Sequence, residues 1–508
     1  MAATAALSLL TAACGGSDDD ADDEPADDGV ESTDDGDADD GDADDAPDDS
    51  ADDEDAGDDA AEPAAEPAGE PAEEADGDRV QVRWFVGLGT GSQDEQIDGQ
   101  NAVVDEFNAS QDGIQLVVEY VDNQTASDVL ATQIAGGDAP DLIGPVGLAG
   151  SNAFAGQYLD LDPLVAASGY DIDQFGDAKD VYRTDDGLLG IPFAVFPSAI
   201  FYNRDLFDEA GLPYPPAEYG DGGISTYGAG TEFEGEWNFD KVTELAQILT
   251  VDANGADATS ADFDASATEQ WGYVNQWTED PAAQGSFFGA GSVVADDGTA
   301  QVPETWIAEW KWYQQMVHEL GVVPDSDEAG SDALAGNSFN SGRVAMANTH
   351  LWYTCCLADE DGAARTNWDL AAVPNYEGAV VSKLHGDSFR IHKDTEHPEE
   401  TFAVLQYLLE DAALDLLTIY GAAPARDDIR EDYFAALDEK FTQGVNWDVI
   451  MAGLAYPDVP NHEANMPNFA ESDARIKELS TPLMSDPSFD IDAAVAELEA
   501  DLNTIWSS

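Results

Sequence analysis

The 508 residues are 43% hydrophobic and carry 108 acidic side chains against 17 basic ones, for a formal net charge of −91. That length allows two or three domains around a large core. So acidic a chain lacks the basic footprint by which nucleic acids and anionic membrane surfaces are bound.

Residues 1–13, MAATAALSLLTAA, are small and apolar and precede Cys14. Small residues ahead of a cleavage point read as the end of a secretory signal. Thr11-Ala12-Ala13-Cys14 resembles a bacterial lipobox, with Cys14 the lipidated residue, although Thr11 stands where leucine is usual. No basic segment precedes the run, so an upstream start codon is expected. The run is too short to span a bilayer as a helix, so the mature protein is expected outside the cell, held at its surface by lipid. From Asp18 to Asp78 there are 32 acids and no Lys or Arg. This low-complexity stretch cannot bury apolar surface, and residues 15–78 read as an extended, disordered tether.

Residues 79–508 still hold 76 acids against all 17 bases, with lysines (seven) fewer than arginines (ten). Such a surface suits high salt, where screening weakens self-repulsion; plain acidic solubility fits the same composition. VQVRWFV (80–86) predicts a buried strand, and GLGTGSQ (87–93) a glycine loop at its end. A helix follows, with Ile97, Val103, Val104 and Phe107 on its apolar face. IQLVVEYV predicts a second strand, ASDVLATQIAGG a helix stopped by glycine, and DLIGPVG a third strand. Strands alternating with helices of this length imply parallel βαβ units. FDKVTELAQILT has helical spacing, and PETWIAEWKWYQQMVHELG sets Trp306, Trp310, Tyr313 and Val317 on one face, a core stripe rather than a cofactor site. EETFAVLQYLLEDAALDLLTIYG reads as one amphipathic helix or a pair.

Several segments, in order, resemble the extracellular solute-binding proteins of ABC sugar importers, the family containing the maltose-binding protein. They are FNASQDGIQLVVEYV, AGGDAPDLI, GLLGIPFAVFPSAIFYNRDLFDEAGL, FNSGRVAMANTHLW, WDLAAVPNYEG, GDSFRIHKDTEHPEETFAVLQYLL and GAAPAR. Each is weak alone; seven in the family's order are specific. The resemblance covers nearly all of residues 79–508. It implies an α/β, two-lobed periplasmic-binding-protein-like fold (type II), with a ligand cleft between lobes and three crossover segments. Matching motifs put the crossings near Phe196, Gly386–Ser388 and Tyr456–Pro460. Lobe one would be residues 79–195 with 387–455, and lobe two residues 196–386 with 456–508.

A sugar offers hydroxyls and apolar C–H faces, so its site needs aromatic plates and short polar side chains. Thr90, Ser92 and Gln93 would supply hydrogen bonds from the opening loop, which should face the cleft at a strand's carboxyl end. Trp352 matches the family's stacking tryptophan. Phe196 sits at a contact position that is often polar in the family. Asn275, Gln276 and Trp277 lie where the family presents a second aromatic and polar pair. Asp387 would take a pair of hydroxyls, with His385 beside it. The family's tryptophan near the third crossing has no match; Phe469 or His462 would substitute. Each residue also has a plainer reading, as core or loop. Cys355 and Cys356 are adjacent, and in an oxidising compartment they either pair as a vicinal disulfide next to Trp352 or stay as free buried thiols. A bond across one peptide would be strained, because neighbouring Cα atoms are about 3.8 Å apart.

The resemblance implies a sugar or oligosaccharide ligand, ABC permease subunits and a lipid-anchored membrane as partners, a monomer, and neither cofactor nor metal. The rival readings are a same-fold receptor for a cationic solute, a polyamine or metal ion, and a secreted glycosidase working through two carboxylates. The glycine loop has Ser92 where a dinucleotide fingerprint needs its third glycine, and it has no Walker lysine. No His-Glu-x-x-His or Gly-x-Ser-x-Gly stands in the chain.

Overall fold

The computed structural model describes residues 79–507, apart from 124, 181, 185, 279, 335–336, 358–365 and 462–465. The expected signal, Cys14 and the tether lie outside the described residues, as does His462.

Strand β1 (Val80–Val86) pairs in parallel with β2 (Ile114–Tyr120) and with β3 (Leu142–Val146). Helices α1 (Asp94–Ser110) and α2 (Ala126–Gly136) connect them, which is the βαβ pattern read from the sequence. β3 is buried at every residue, as suits a strand covered on both faces. Trp84 of β1 is fully buried, and its indole N–H donates to the Gly144 carbonyl at 2.6 Å.

One sheet runs through the fold. Beyond β3 comes β8 (Leu384–Ile391), then β4 (Ile191–Asn203), β6 (Val344–His350) and β5 (Thr268–Asn275), with β7 (Trp368–Ala371) also on β4. β4 is thirteen residues long and changes partner midway. Residues 191–197 lie antiparallel to β8, and Ser198–Tyr202 lie antiparallel to β6. Pro197, which has no N–H to give a ladder, stands at the change. The largest apolar cluster is continuous across this point, from Val82 and Trp84 through Phe196 to Phe201 and Trp368.

Helix α3 (Phe239–Leu249) buries Val242, Leu245, Ala246 and Leu249 against β5. Gly272 of β5 allows this, since a Cβ there would overlap the Ala246 backbone. Helix α4 (Glu304–Gln314) buries the tryptophan stripe: Trp306 is 0%, Trp310 1% and Tyr313 1% exposed. The helix expected to continue to Gly321 instead widens into a turn at Gln315–Glu319, where the Leu320 N–H reaches the Gln315 carbonyl, and Met316 and Val317 both stay buried. The segment after β8 forms a pair, α5 (Pro398–Leu409) and α6 (Ala413–Tyr420). Both pack on α1, through Tyr407 against Phe107 at 5.0 Å and through Ile419 beside Gly99. No helix among the described residues is long and apolar enough to cross a membrane.

Candidate functional site

The three glycines of the opening loop each have a steric reason. Gly87 has φ 156°, and a Cβ on it would lie 2.5 Å from the Val121 carbonyl. Gly91 has φ 112°, and its Cβ would lie 2.7 Å from a Val86 methyl. A Cβ on Gly89 would meet the Pro145 carbonyl at 2.5 Å and the Asp387 carboxylate at 3.1 Å. At Gly89 the backbone therefore runs against β3 and β8 more closely than any other residue would allow. Its polar groups are held by glutamines of α1. The Gly91 N–H donates to Gln96 Oε1 at 2.8 Å, and Gln100 Nε2 donates to the Gly91 carbonyl at 2.6 Å. The Tyr420 hydroxyl of α6 in turn donates to Gln100 Oε1 at 2.7 Å. Gln100 is fully buried, whereas Ile97, assigned to the apolar face, is only half-buried. The reason is tertiary: α6 covers the glutamine side of α1 near its start.

Asp387 lies in the middle of β8 with no exposed surface. The Thr90 hydroxyl donates to its Oδ2 at 3.3 Å, while Oδ1 has no hydrogen-bond partner among the described residues. Burial raises its carboxyl to about 7, against the lowering effect of Thr90. His385 and Asp387, two apart on one strand, point to the same face.

Four rings meet where β4 changes partner. Trp352 stacks on His350 with centroids 4.1 Å apart and planes at 23°. His385 stands edge-on to both, at 4.4 Å from His350 and 4.8 Å from Trp352. Phe196, directly opposite His385 in the ladder, lies 5.6 Å from Trp352. Trp352 Nε1 and both ring nitrogens of His350 are buried with no hydrogen-bond partner among the described residues. Burial, and then the charge of Lys383, hold His350 well below its ordinary pKa, so it is neutral. A buried polar group left unpaired costs about 1–3 kcal/mol. Several of them together mark a place where a polar ligand or ordered water belongs.

Sequence reasoning missed His350, Lys383 and Asp458. Lys383 is fully buried just before β8, and its charge acts on Asp458. The Asp458 carboxylate accepts the Leu384 N–H and the Asn461 amide, both at 2.9 Å. A signal was present: Lys383 is one of seven lysines in the chain and stands inside the apolar run AVVSKL.

Asn275 and Gln276 are not brought to the Trp352 cluster. Asn275 takes the Tyr273 hydroxyl at 2.8 Å and faces Glu309 at 3.5 Å, inside a buried network under α4. Burial raises Glu309 to about 8. Gln276 Oε1 accepts the Phe339 N–H at 3.1 Å. Trp277, at φ 55°, sets its ring edge-on to Tyr353 at 5.0 Å, beside the Trp352 turn. Ser92 and Gln93 are half-buried beside Thr90. Phe469 packs instead with the C-terminal helices.

Cys355 and Cys356 are joined as a vicinal disulfide in the turn Leu351–Cys356. Lys440 Nζ donates to the Thr354 carbonyl of that turn at 3.3 Å. Gly421, at the end of α6, approaches it so closely that a Cβ would meet the Trp352 carbonyl at 3.2 Å. Among the described residues no group of three or more His, Cys, Asp or Glu is placed to hold a metal ion.

Comparison with known proteins bears on this arrangement. The family model for bacterial extracellular solute-binding proteins matches residues 93–414. A curated binding protein of Brucella abortus (strain 2308) is 24% identical over 311 residues, 60% of this chain and 66% of that protein, so the match spans just under two thirds of the relative. Among solved structures, the ABC substrate-binding protein Lmo0181 of Listeria monocytogenes, in complex with cycloalternan, is similar at a TM-score of 0.64 and 19% identity, covering 85% of this chain and 100% of that one. The maltose/maltodextrin-binding domain MalE of Bdellovibrio bacteriovorus, bound to maltotriose, is similar at 0.59 and 16% identity, covering 85% and 100%. At these identities the structures establish the shared two-lobed fold. By its match over more than half its length, the chain belongs to the bacterial extracellular solute-binding protein family.

Proposed function

We propose that this protein captures a sugar or oligosaccharide outside the cell and delivers it to the permease subunits of an ABC importer. The observation that carries the reading is the four-ring cluster of Phe196, His350, Trp352 and His385, in which the buried Trp352 indole and His350 ring nitrogens have no hydrogen-bond partner among the described residues, with the half-satisfied Asp387 two positions from His385 on β8. Flat rings match the C–H faces of a sugar. A carboxyl with one free oxygen, poised near neutral pH, can accept or donate to a hydroxyl. The sugars named for the Listeria and Bdellovibrio proteins support the same reading.

In this proposal, lobe one is residues 79–195 with 387–455, lobe two is residues 196–386 with 456–508, and the lobes close on the ligand about the crossings. Thr90, Ser92, Gln93 and Asp387 act from one side, and Trp352, Phe196 and His385 from the other. Trp277 would extend the aromatic wall through Tyr353. Cys14 would carry the lipid, the acidic stretch would serve as tether, and the protein would work as a monomer without catalysis. The charge would suit a saline medium.

A cationic solute is the second reading, favoured by two buried carboxylates, Asp387 and Asp458, near the crossings. A thermal-shift screen of the full chain against sugars, polyamines and metal ions in high salt tests both. A bound ligand raises the melting temperature with occupancy. A rise with a sugar, abolished in Trp352→Ala, is expected; a rise only with a polyamine or metal ion would replace the sugar reading.

A further inference from the structure

We propose that a surface cavity between α3, α4 and the hairpin at Asn375–Val380 is a second binding site, for a small organic cation with an apolar face such as a quaternary ammonium compound. The cavity measures about 610 Å³ and shares no residue with the site around Trp352. That volume falls in the range of small-molecule sites.

Its wall is aromatic. Tyr376 stacks on Phe288 with centroids 4.0 Å apart, Phe288 meets Phe239 at 4.4 Å, and Trp312 lies 5.1 Å from Phe239 and 5.5 Å from Phe288. Phe239 and Phe288 are buried and back the wall, while Trp312 and Tyr376 are half-exposed and line it. Trp312 lies off the buried stripe of Trp306, Trp310 and Tyr313 on the same helix. Its N–H is already held by the Thr243 hydroxyl at 2.8 Å, so it offers a ligand its ring face.

The rim is acidic. Glu236, Asp240 and Glu377 line the cavity. Burial and then the charges of Glu377 and Asp240 hold the Tyr376 phenol above its ordinary range, which sets both carboxylates near that ring. Lys311 is the one cation among the lining residues, and its ammonium is paired with Asp492 at 2.6 Å.

The hairpin is built to hold this geometry. Glu377 adopts φ 49°, a conformation rare for a side-chain-bearing residue. Asn375 anchors the turn by donating to Glu236 at 3.2 Å and to the Trp237 carbonyl at 2.9 Å, and by accepting the Gly378 N–H at 2.9 Å.

These features select one chemistry. A neutral apolar molecule gains only the wall. An inorganic cation gains only the carboxylates, and salt screens them. An organic cation gains both, through the ring faces and the negative rim.

The test is calorimetric titration of the full chain with choline and with its uncharged isostere, in which carbon replaces the quaternary nitrogen. Saturable choline binding is expected, about tenfold tighter than the isostere. Tyr376→Ala and Asp240→Asn should each weaken choline several-fold, and Trp352→Ala should leave it unchanged. Asp240→Asn keeps the shape of the site, so it reports on charge even if Tyr376→Ala disturbs the hairpin. No saturable binding, or equal binding of the two probes, would overturn the proposal. So would a loss in Trp352→Ala with Tyr376→Ala unaffected, which would move the cation to the other site.

Discussion

The Thr90 hydroxyl donates to Asp387 Oδ2 at 3.3 Å, tying the glycine loop after β1 to the middle of β8 across 297 positions of the chain. Thr90, through this hydroxyl and its backbone, holds one side of a carboxyl that has no exposed surface. The other oxygen, Oδ1, has no hydrogen-bond partner among the described residues, and burial raises the carboxyl to about 7.

Removing that charge should stabilise the empty protein at alkaline pH. Asp387 rises from its ordinary 3.8 to about 7 on folding. The folded state therefore holds a proton that the unfolded state has lost, and this group's contribution falls as pH rises through about 4 to 7. The full penalty, above pH 7, is about 4 kcal/mol at most. Asp387→Asn lacks it, so it should melt higher than the parent protein at pH 8, with the gap shrinking by pH 4.5. A gap that is constant with pH would show that Asp387 is not buried as described.

Trp352→Ala should act twice. Losing a buried tryptophan stacked on His350 should cost about 3 kcal/mol in urea denaturation. Separately, it should abolish the sugar-induced rise in melting temperature. A variant that is destabilised but still responds fully to sugar would make Trp352 a core residue only.

Gly272→Ala should loosen α3 from β5, because the added methyl overlaps the Ala246 backbone and a helix must shift to admit it. The expected loss is about 3 kcal/mol, the upper end for overpacking. Hydrogen exchange should rise first in residues 239–249. Wild-type stability would contradict the close approach.

Cys355 and Cys356 should resist alkylation in the denatured, unreduced chain and take up two alkyl groups after reduction, read by peptide mass. Alkylation without reductant would mean the thiols are free.

Much of the fold was legible in the sequence because it depends on local periods. The apolar alternation of Val80–Val86, the glycine that stops α2 and the four-residue spacing of Trp306 and Trp310 each report a neighbour's geometry, not a distant one. The family resemblance was legible for the same reason, since it rests on short ordered segments, and the match over residues 93–414 agrees with it.

The candidate site was only half legible. Trp352 and Asp387 stood out as residue types in recognisable segments. Gln100 falls within the apolar arc of Val103, Val104 and Phe107 but is a residue type that reads as surface; its burial is made tolerable because Tyr420, 320 positions away, reaches its amide. Asn275 reads as a loop ligand, yet it turns inward because Glu309 and Tyr273 face it from within. His350 reaches His385 because β4 lies between their strands, pairing with β6 at Ser198 and with β8 at Phe196.

The sequence by itself determined which segments are strands and helices, and which family the pattern matches. Only the tertiary structure decided which polar side chains lie inside and which of their atoms are left unpaired. The physical reason is that apolar burial follows a period along the chain, whereas the satisfaction of a polar group depends on whichever remote element packs against it.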